Sequence, residues 1–259
     1  MQTIYRPSGR YPFLALNLYN GRCPHLCSYC YVPSVRGKTR EQWECEPWHV
    51  RYGVIEALKR DAPKYVHETK RVLLCFHCDP YSPEAAASGV TRQALEVLRS
   101  YDIPFQVLTK GGMRAVSDFD LYRPGIDAFA TTMTYLDKRL SLREEPGAAE
   151  PMDRIAAICR AKKQGIETWV SLEPVLDTHA SLEIIGATYT VVDLYKIGKL
   201  NHDPEREAKI DWGAFAWEAM NLCNKYSKPF IFKKGLLEYC DFEIVGAAKF
   251  DPRLIKGAL

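Results

Sequence analysis

The chain has 259 residues, of which 47% are hydrophobic, and this is enough to bury one sizeable core, so we expect a single main domain. The net charge of +3 is too small to indicate a nucleic-acid or membrane partner by electrostatics, and no apolar run reaches the roughly 20 residues of a membrane span. The first residues lack the apolar segment of a signal peptide, and nine cysteines are an odd number for a disulfide framework, so we expect a cytoplasmic protein with free or metal-bound thiols.

Short apolar runs alternate with helical patterns along the chain. Phe13 to Leu18 predicts a first strand, and an irregular loop from Tyr19 to Trp48 follows it. Further strands are predicted at residues 71–76, 105–109, 128–132, 167–172, 191–197 and 229–232, and helices at 50–60, 91–100, 114–122, 151–164, 181–185 and 211–226. Thr91 and Asp211 suit helix N-caps, Pro151 suits a first helical position, and Gly165 suits the position after a helix end.

The alternation of strands and helices favours an α/β fold with parallel strands and right-handed crossovers. Six or seven such units in this length suit a barrel or partial barrel better than a full eight-stranded barrel, and a doubly wound sheet stays open because periodicity does not determine strand order. In either architecture, ligands bind at the carboxyl ends of the strands. We assign residues 1–234 to this unit, with the cysteine-bearing loop at 19–48, and residues 235–259 to a C-terminal extension.

Three cysteines, Cys23, Cys27 and Cys30, form a C-x3-C-x2-C run in the irregular loop. Three thiolates cannot complete a tetrahedral zinc site, but they can bind three irons of a cubane [4Fe-4S] cluster and leave the fourth iron open to a non-protein ligand. Two other interpretations remain: a structural zinc with His25 or His49 as fourth ligand, and ordinary buried cysteines. The spacing is unlike the common zinc patterns and no second C-x2-C pair is present, so the cluster is favoured.

This cysteine run, after a first strand and with an aromatic residue before the last cysteine, resembles the radical S-adenosylmethionine (radical SAM) superfamily. Further stretches resemble its spore photoproduct lyase-like branch, including phage-encoded relatives: residues 17–21, 30–31, 78–84, 109–110 and 143–146. The resemblance implies a partial (β/α)6 TIM-like barrel with parallel strands. It also implies that the open iron chelates the methionine moiety of SAM, and that one-electron cleavage of SAM gives a 5′-deoxyadenosyl radical that abstracts hydrogen from the substrate.

The resemblance assigns roles to residues of this sequence. Cys23, Cys27 and Cys30 would bind the cluster, and Tyr29 would pack near the adenine of SAM. Lys110 would pair with the SAM carboxylate, since opposite charges in a partly dry site attract strongly. The plain structural alternatives are a buried aromatic at Tyr29 and a solvated lysine at Lys110.

Two further cofactor-binding candidates stand at the ends of predicted strands. Thr132 occupies the place where the branch often has a serine near the cofactor. Glu173 precedes a proline and would accept hydrogen bonds from the ribose hydroxyl groups, with a surface loop charge as the alternative.

The chain departs from the family after the second strand of the barrel. It lacks the Gly-Gly-Glu run that holds the SAM amino group in many relatives, so contacts of the backbone or of Asp79 would replace it. Where the branch has its hydrogen-donating cysteine, this chain has Phe76, flanked by Cys75 and Cys78. Cys78 is therefore the candidate catalytic residue, with core packing as the alternative. An ideal strand would place Cys75 and Cys78 on opposite faces, so at most one would face the site.

The resemblance implies an external one-electron reductant of the flavodoxin or ferredoxin type and favours a nucleic-acid or nucleotide substrate. A radical SAM enzyme acting on a peptide or small metabolite, and a non-catalytic iron-sulfur or zinc protein, are the alternatives. Aromatic and basic residues in and near the loop suit either a stacking and phosphate-binding surface or the loop's own small core: Trp43, Trp48, Tyr31, Tyr81, Arg36, Lys38 and Arg40. The sequence does not predict the oligomeric state or the substrate.

Overall fold

The computed structural model describes residues 3–7 and 14–245, so Phe13 and residues 246–259 of the predicted extension lie outside the described residues. The strands are β1 (Ile4–Tyr5), β2 (Leu14–Leu16), β3 (Tyr19–Asn20), β4 (His49–Val50), β5 (Val72–Leu74), β6 (Phe105–Thr109), β7 (Ala128–Thr132), β8 (Glu167–Val175), β9 (Leu194–Lys199) and β10 (Phe230–Phe232). The α-helices are α1 (Val32–Val35), α2 (Arg40–Glu44), α3 (Val54–Asp61), α4 (Pro83–Ser88), α5 (Val90–Ser100), α6 (Lys138–Glu144), α7 (Pro151–Lys163), α8 (Thr178–Thr188), α9 (Pro204–Glu207), α10 (Trp212–Lys225) and α11 (Lys234–Leu237). Two 3-10 helices span Ala62–Tyr65 and Gly112–Leu121.

A mostly parallel sheet forms the centre of the described structure. Its strand order is β1-β2-β5-β6-β7-β8-β9-β10; β1 pairs antiparallel with β2, and every later pair is parallel. From β2 onwards, the order in the sheet is the order in the chain. A doubly wound sheet would reverse its strand order at a switch point, so that alternative is excluded. The predicted fold of six parallel β/α units with an extra C-terminal strand, β10, is confirmed.

Local signals predicted several boundaries correctly. The strands at 105–109 and 128–132 have their predicted bounds, and Asp211 caps α10 by accepting a hydrogen bond from the Ala214 amide at 2.9 Å. Pro151 begins α7, and Gly165 follows its end with a left-handed φ of 75°. These features need only neighbouring residues, which is why the sequence shows them.

Thr91 was wrongly predicted as an N-cap, because a tertiary contact uses its hydroxyl. The helix begins at Val90 after Gly89, which has a left-handed φ of 66°. Thr91 is buried, and its hydroxyl donates to the Pro80 carbonyl at 2.7 Å and accepts from the Tyr19 hydroxyl at 2.7 Å. The predicted helix at 114–122 is a 3-10 helix that begins at Gly112.

The inner face of the sheet carries only a small cluster of buried apolar side chains, whereas the outer face and its helices carry the main core. The inner cluster consists of Ala128, Ala130, Trp169 and Leu194. Among the described residues, no helix combines the length and apolarity needed to cross a membrane.

Asp127 organises the amino ends of β6 and β7. Its side chain is fully buried and accepts hydrogen bonds from the Phe105 amide at 2.9 Å, the Arg123 amide at 2.8 Å and the Arg123 guanidinium at 2.8 and 2.9 Å. We expect Asp127→Ala to lower the free energy of unfolding by about 3–5 kcal/mol, because it removes the buried anion that Arg123 and two backbone amides bind. Urea denaturation followed by circular dichroism measures this loss.

Asp102→Ala is the matched control, because Asp102 also pairs with Arg123 but has 82% of its side chain exposed. Its removal should cost less than about 1 kcal/mol. If the two variants lost equal amounts of unfolding free energy, the burial of Asp127 would not explain its contribution.

Candidate functional site

A cavity of about 1490 Å³ runs along the inner face of the sheet and is lined by residues at the amino and the carboxyl ends of its strands. Every site residue predicted from the sequence lines it: Cys23, Cys27, Tyr29, Cys30, Cys78, Asp79, Lys110, Thr132 and Glu173. Parallel strands bring their carboxyl ends to one edge, which explains why residues distant in the chain meet here. The structure thus brings these predicted residues to one cavity.

The cysteine-bearing segment is an irregular loop made of two tight turns. The Leu26 amide donates to the Cys23 carbonyl at 3.1 Å, and the Cys30 amide donates to the Cys27 carbonyl at 3.2 Å. Leu26 has a left-handed φ of 49°, which turns the chain between the first two cysteines. Arg40 of α2 donates to the Cys27 carbonyl at 2.7 Å and so ties the loop to the helix that follows it.

Two glutamates at the end of α6 hold this loop against the barrel. Glu144 accepts a hydrogen bond from the Ser28 hydroxyl, and its carbonyl accepts from the Ser28 amide at 2.8 Å. Glu145, which is fully buried, accepts from the Tyr29 hydroxyl and forms an ion pair with Arg154 at 2.6 Å. The motif at 143–146, to which the sequence analysis gave no role, therefore positions the cysteine loop.

Gly147 lets the chain pass close to the same loop. Its amide donates to the His25 carbonyl at 3.1 Å. A Cβ atom at this position would lie 2.2 Å from the Pro24 carbonyl oxygen, which is far inside van der Waals contact. Only glycine fits here without moving the loop.

Asp79 connects the loop with the ends of β5 and β6. Its carboxylate accepts hydrogen bonds from the Thr109 hydroxyl at 2.6 Å, the Lys110 amide at 2.7 Å and the Tyr81 amide at 2.8 Å. Burial opposes the charge, but the adjacent His25 and these hydrogen bonds together hold the pKa of Asp79 below its usual value. Asp79 is therefore an anion whose main partners are protein groups.

The Lys110 ammonium group lies among the cysteines and acidic residues. It stands 5.6 Å from the centre of the Tyr29 ring, and no carboxylate of the described residues lies within ion-pair distance of it. Burial works against its charge, but Cys27, Glu145 and Asp79 together raise the pKa of Lys110 above its usual value. The site therefore contains a persistent cation beside the cysteine loop.

The surroundings raise the pKa of all three cysteine thiols. Burial raises the pKa of Cys27 to about 12, and it also raises the pKa of Cys30. A hydrogen bond with Cys78, followed by burial, raises the pKa of Cys23 well above its usual value. A metal ion that binds such thiols displaces their protons, so cation binding and deprotonation are coupled here.

Within residues 3–7 and 14–245, no three His, Cys, Asp or Glu side chains converge in a geometry that would hold one metal ion. Three cysteine thiols on one short loop nevertheless have the chemistry of iron-sulfur ligands, each of which binds one iron of a cubane. The Asp79 amide also donates to the Cys23 sulfur at 3.4 Å, a contact that stabilises a thiolate.

Of the two histidines proposed as a fourth zinc ligand, only His25 lines the cavity. His49 is exposed, does not line the cavity, and contacts the Pro47 carbonyl at 3.1 Å. His25 is buried, and both its ring nitrogens lack hydrogen bonds, although Nδ1 lies 3.4 Å from Asp79. Burial lowers the pKa of His25 to about 4.

Both Cys75 and Cys78 line the cavity, contrary to the expectation from strand alternation. The strand β5 ends at Leu74, so both cysteines follow it in an irregular segment where the alternation does not apply. Cys78 is buried and its thiol contacts Cys23, whereas burial raises the pKa of Cys75 to about 12.

The two remaining candidates occupy the carboxyl ends of β7 and β8. Thr132 is buried, and its carbonyl accepts from Arg154 at 3.0 Å, which ties this strand end to α7. Glu173 pairs with Lys233, so its charge is compensated by the protein. Both residues also line the cavity.

The aromatic and basic residues of the loop form its own core and ion pairs. Trp43 is fully buried, with the Arg40 guanidinium 5.1 Å from its ring centre. Arg36 and Lys38 both pair with Glu46. The structure thus favours the small-core alternative for this segment. Tertiary contacts also give roles that the sequence does not show to Arg154 and Lys196, and to Glu145 within the 143–146 motif.

The sequence matches no protein-family model and no curated protein. Its structure is similar to Streptococcus suis SuiB bound to S-adenosylmethionine, with a TM-score of 0.61, 11% identity, and coverage of 91% of this chain and 52% of that one. A point mutant of spore photoproduct lyase gives a TM-score of 0.65 and 13% identity over 88% of this chain and 80% of that one. TYW1 with a lysine-pyruvate adduct bound gives a TM-score of 0.53 and 13% identity, with coverage of 85% of this chain and 75% of that one.

The chain spans about half the length of the SuiB structure that it matches. SuiB, spore photoproduct lyase and TYW1 are radical SAM enzymes, and identities of 11 to 13% support a statement about the fold alone. The parallel sheet, wound in chain order and with a cavity at its carboxyl edge, is the TIM-barrel-like fold of the radical SAM enzymes.

Proposed function

We propose that the protein is a radical SAM enzyme that cleaves SAM reductively with a [4Fe-4S] cluster and abstracts hydrogen from a substrate. The observation that carries this proposal is the position of Cys23, Cys27 and Cys30 on one clamped loop at the mouth of the barrel cavity, beside the Lys110 ammonium. The cluster, when bound, would supply the electron that cleaves the sulfonium of SAM. An external reductant of the flavodoxin or ferredoxin type would reload it.

The residues of the chain would bind and orient the cofactors. Cys23, Cys27 and Cys30 would each ligate one iron. Lys110 would pair with the carboxylate of SAM, since its charge persists and it has no carboxylate partner of its own. Tyr29, fixed by its hydrogen bond to a buried glutamate, would pack against the adenine.

The other predicted residues would complete the cofactor pocket from the strand ends. Thr132 and Glu173 line its far side, and Glu173 would bind the ribose hydroxyl groups. Asp79 would shape the pocket by holding the Lys110 backbone as well as by direct contact. Cys78, buried beside Cys23, is the candidate donor of a hydrogen atom to a substrate radical.

Among the similar structures are SuiB bound to precursor peptide SuiA and a spore photoproduct lyase mutant with a dinucleoside spore photoproduct, so proteins of this fold bind a peptide in one case and a dinucleoside in another. We favour a nucleic acid or nucleotide, because the motifs at 78–84 and 143–146 resemble the spore photoproduct lyase-like branch. A reducing, cytoplasmic location would suit the free thiols and the cluster.

Cys27→Ala tests the enzymatic proposal. We expect the anaerobically reconstituted protein to form 5′-deoxyadenosine from SAM and dithionite, and the variant to form none, because two thiolates hold the cluster poorly. Liquid chromatography with mass spectrometry measures the product. Cys45→Ala, which changes an exposed cysteine outside the motif, should keep full activity. An intact cluster without any SAM cleavage in the wild type would instead support the non-catalytic alternative.

Gly147→Ala tests whether the cysteine loop holds the cluster. The added Cβ would collide with the Pro24 carbonyl, so we expect the iron affinity to fall by about 10–100-fold, as for other changes behind metal ligands. Competition with a chelator, on samples with matched circular dichroism, measures the affinity. Gly186→Ala is the control, because a Cβ there meets nothing within 4 Å. Equal iron affinities for the two variants would argue against a cluster on this loop.

Lys110→Met tests the proposed contact with SAM. The loss of one charge-assisted hydrogen bond should weaken SAM binding by about 10–100-fold. Equilibrium dialysis of the cluster-loaded protein measures the dissociation constant. Lys234→Met removes an exposed lysine that also borders the cavity, so it controls for a general loss of positive charge. A similar weakening in both variants would reject a specific role for Lys110.

A further inference from the structure

A row of residues crosses four neighbouring strands inside the barrel. Thr132 of β7 is in register with Ser171 of β8, Ser171 with Lys196 of β9, and Lys196 with Ile231 of β10. All four line the cavity. Because Thr132 is the last residue of its strand, this row lies directly inside the mouth of the barrel. Lys196 therefore belongs to the part of the cavity next to the proposed cofactor residues.

The Lys196 ammonium has an aromatic neighbour but no anionic one. Its nitrogen lies 3.5 Å from the centre of the Trp169 ring, which is a close cation–π contact. Among the described residues, no carboxylate lies within ion-pair distance of this nitrogen and no hydrogen-bond acceptor contacts it. Neighbouring cations are compensated: Lys233 pairs with Glu173, and Arg71 binds Glu167 through two hydrogen bonds of 2.9 and 2.7 Å.

The electrostatic surroundings keep this charge poorly stabilised. Burial is the main cause that lowers the pKa of Lys196 to about 7, and the nearby Lys233 and Arg71 add to it. The negative charges of Glu167 and Glu173 raise this pKa, but they offset the lowering only in part. An anion beside Lys196 would reverse the effect, since it stabilises the charged form. The cavity thus contains an amine that lacks an anionic partner for its charged form.

Other polar groups that line the cavity also lack partners. Ser171, which is paired with Lys196 in register, is buried, and its hydroxyl has no hydrogen-bond partner among the described residues. Trp169 has a buried Nε1 donor without a partner, and Gln106 has a buried Oε1 acceptor without one. Unpaired donors inside a protein are costly, so the donors of Ser171 and Trp169 favour an anionic ligand, whereas the Gln106 acceptor gives no support to one.

We propose that Lys196 and Ser171 form an oxyanion-binding subsite that holds a phosphate or carboxylate group of the substrate inside the barrel. The ammonium and the hydroxyl are donors on paired positions of adjacent strands, and both residues line one cavity. The inference deepens the proposed function, on which it rests for the presence of a substrate in this cavity. It restricts that substrate to a molecule that has an oxyanion to place next to Lys196.

Nuclear magnetic resonance of lysine labelled with carbon-13 at Cε tests the subsite. In the cluster-loaded protein with SAM, the signal that disappears in Lys196→Arg belongs to Lys196. We expect it to titrate near neutral pH and its midpoint to rise by about one pH unit or more with saturating inorganic phosphate or acetate, because a bound anion stabilises the ammonium. Anion binding should therefore be strong below the midpoint and weaken as Lys196 loses its proton at higher pH.

The two anions distinguish the two kinds of substrate group. A shift with phosphate alone indicates a phosphate subsite, and a shift with acetate alone indicates a carboxylate subsite. A shift with both supports an oxyanion subsite without selectivity. No shift of the Lys196 midpoint with either anion would overturn the proposal.

Binding of radiolabelled phosphate and acetate by equilibrium dialysis gives a second measurement. Lys196→Met and Ser171→Ala should weaken the binding of whichever anion shifts Lys196, by about tenfold or more for the lost charge. Lys225→Met is the matched control, because Lys225 is an exposed lysine over the Tyr226 ring, outside the cavity, and it should bind as the wild type does. Unchanged binding in Lys196→Met would overturn the proposal.

The wild-type protein separates this subsite from the proposed function. SAM cleavage without any anion effect on Lys196 would overturn the subsite and leave the radical SAM activity standing. An anion effect without SAM cleavage would overturn the activity and leave the subsite standing.

Discussion

Buried carboxylates position the loop on which the whole site depends. The loop has no backbone ladder of its own, so its shape depends on Glu144, Glu145 and Asp79, which bind it or the strand ends beside it. A buried carboxylate is costly unless its partners are well placed, and the Glu145–Arg154 pair shows such placement. This requirement links the cysteine loop, the end of α6 and the start of α7 into one unit.

The same barrel divides its cavity into two chemically different parts. At the mouth, cysteine thiols and Lys110 face one another, and the surrounding anions keep the lysine charged. Deeper in, Lys196 lies over Trp169 among cations that lower its pKa. Trp169 and Lys196 both line this inner part of the cavity. A cofactor at the mouth and an anionic substrate group inside would then be neighbours.

Local patterns predicted the fold well and the details of the site only in part. Buried apolar runs gave the bounds of β6 and β7, and the order of units indicated parallel strands whose carboxyl ends would meet. That topology is enough to bring all the candidate residues to one cavity. The prediction of an N-cap at Thr91 was wrong because the Thr91 hydroxyl binds the hydroxyl of Tyr19, which is distant in the chain. The expectation that Cys75 and Cys78 lie on opposite faces of a strand was wrong because β5 ends before both of them.

The sequence alone determined the spacing of the three cysteines, the alternation of strands and helices, and the residues that follow each strand, because all of these depend on neighbours in the chain. Only the tertiary structure decided which charges are neutralised. Arg154 meets Glu145 and Lys233 meets Glu173, whereas Lys196 meets an aromatic ring and no carboxylate among the described residues. Such pairings join residues from different elements. They depend on the packing of the complete barrel, so a periodic sequence pattern does not predict them.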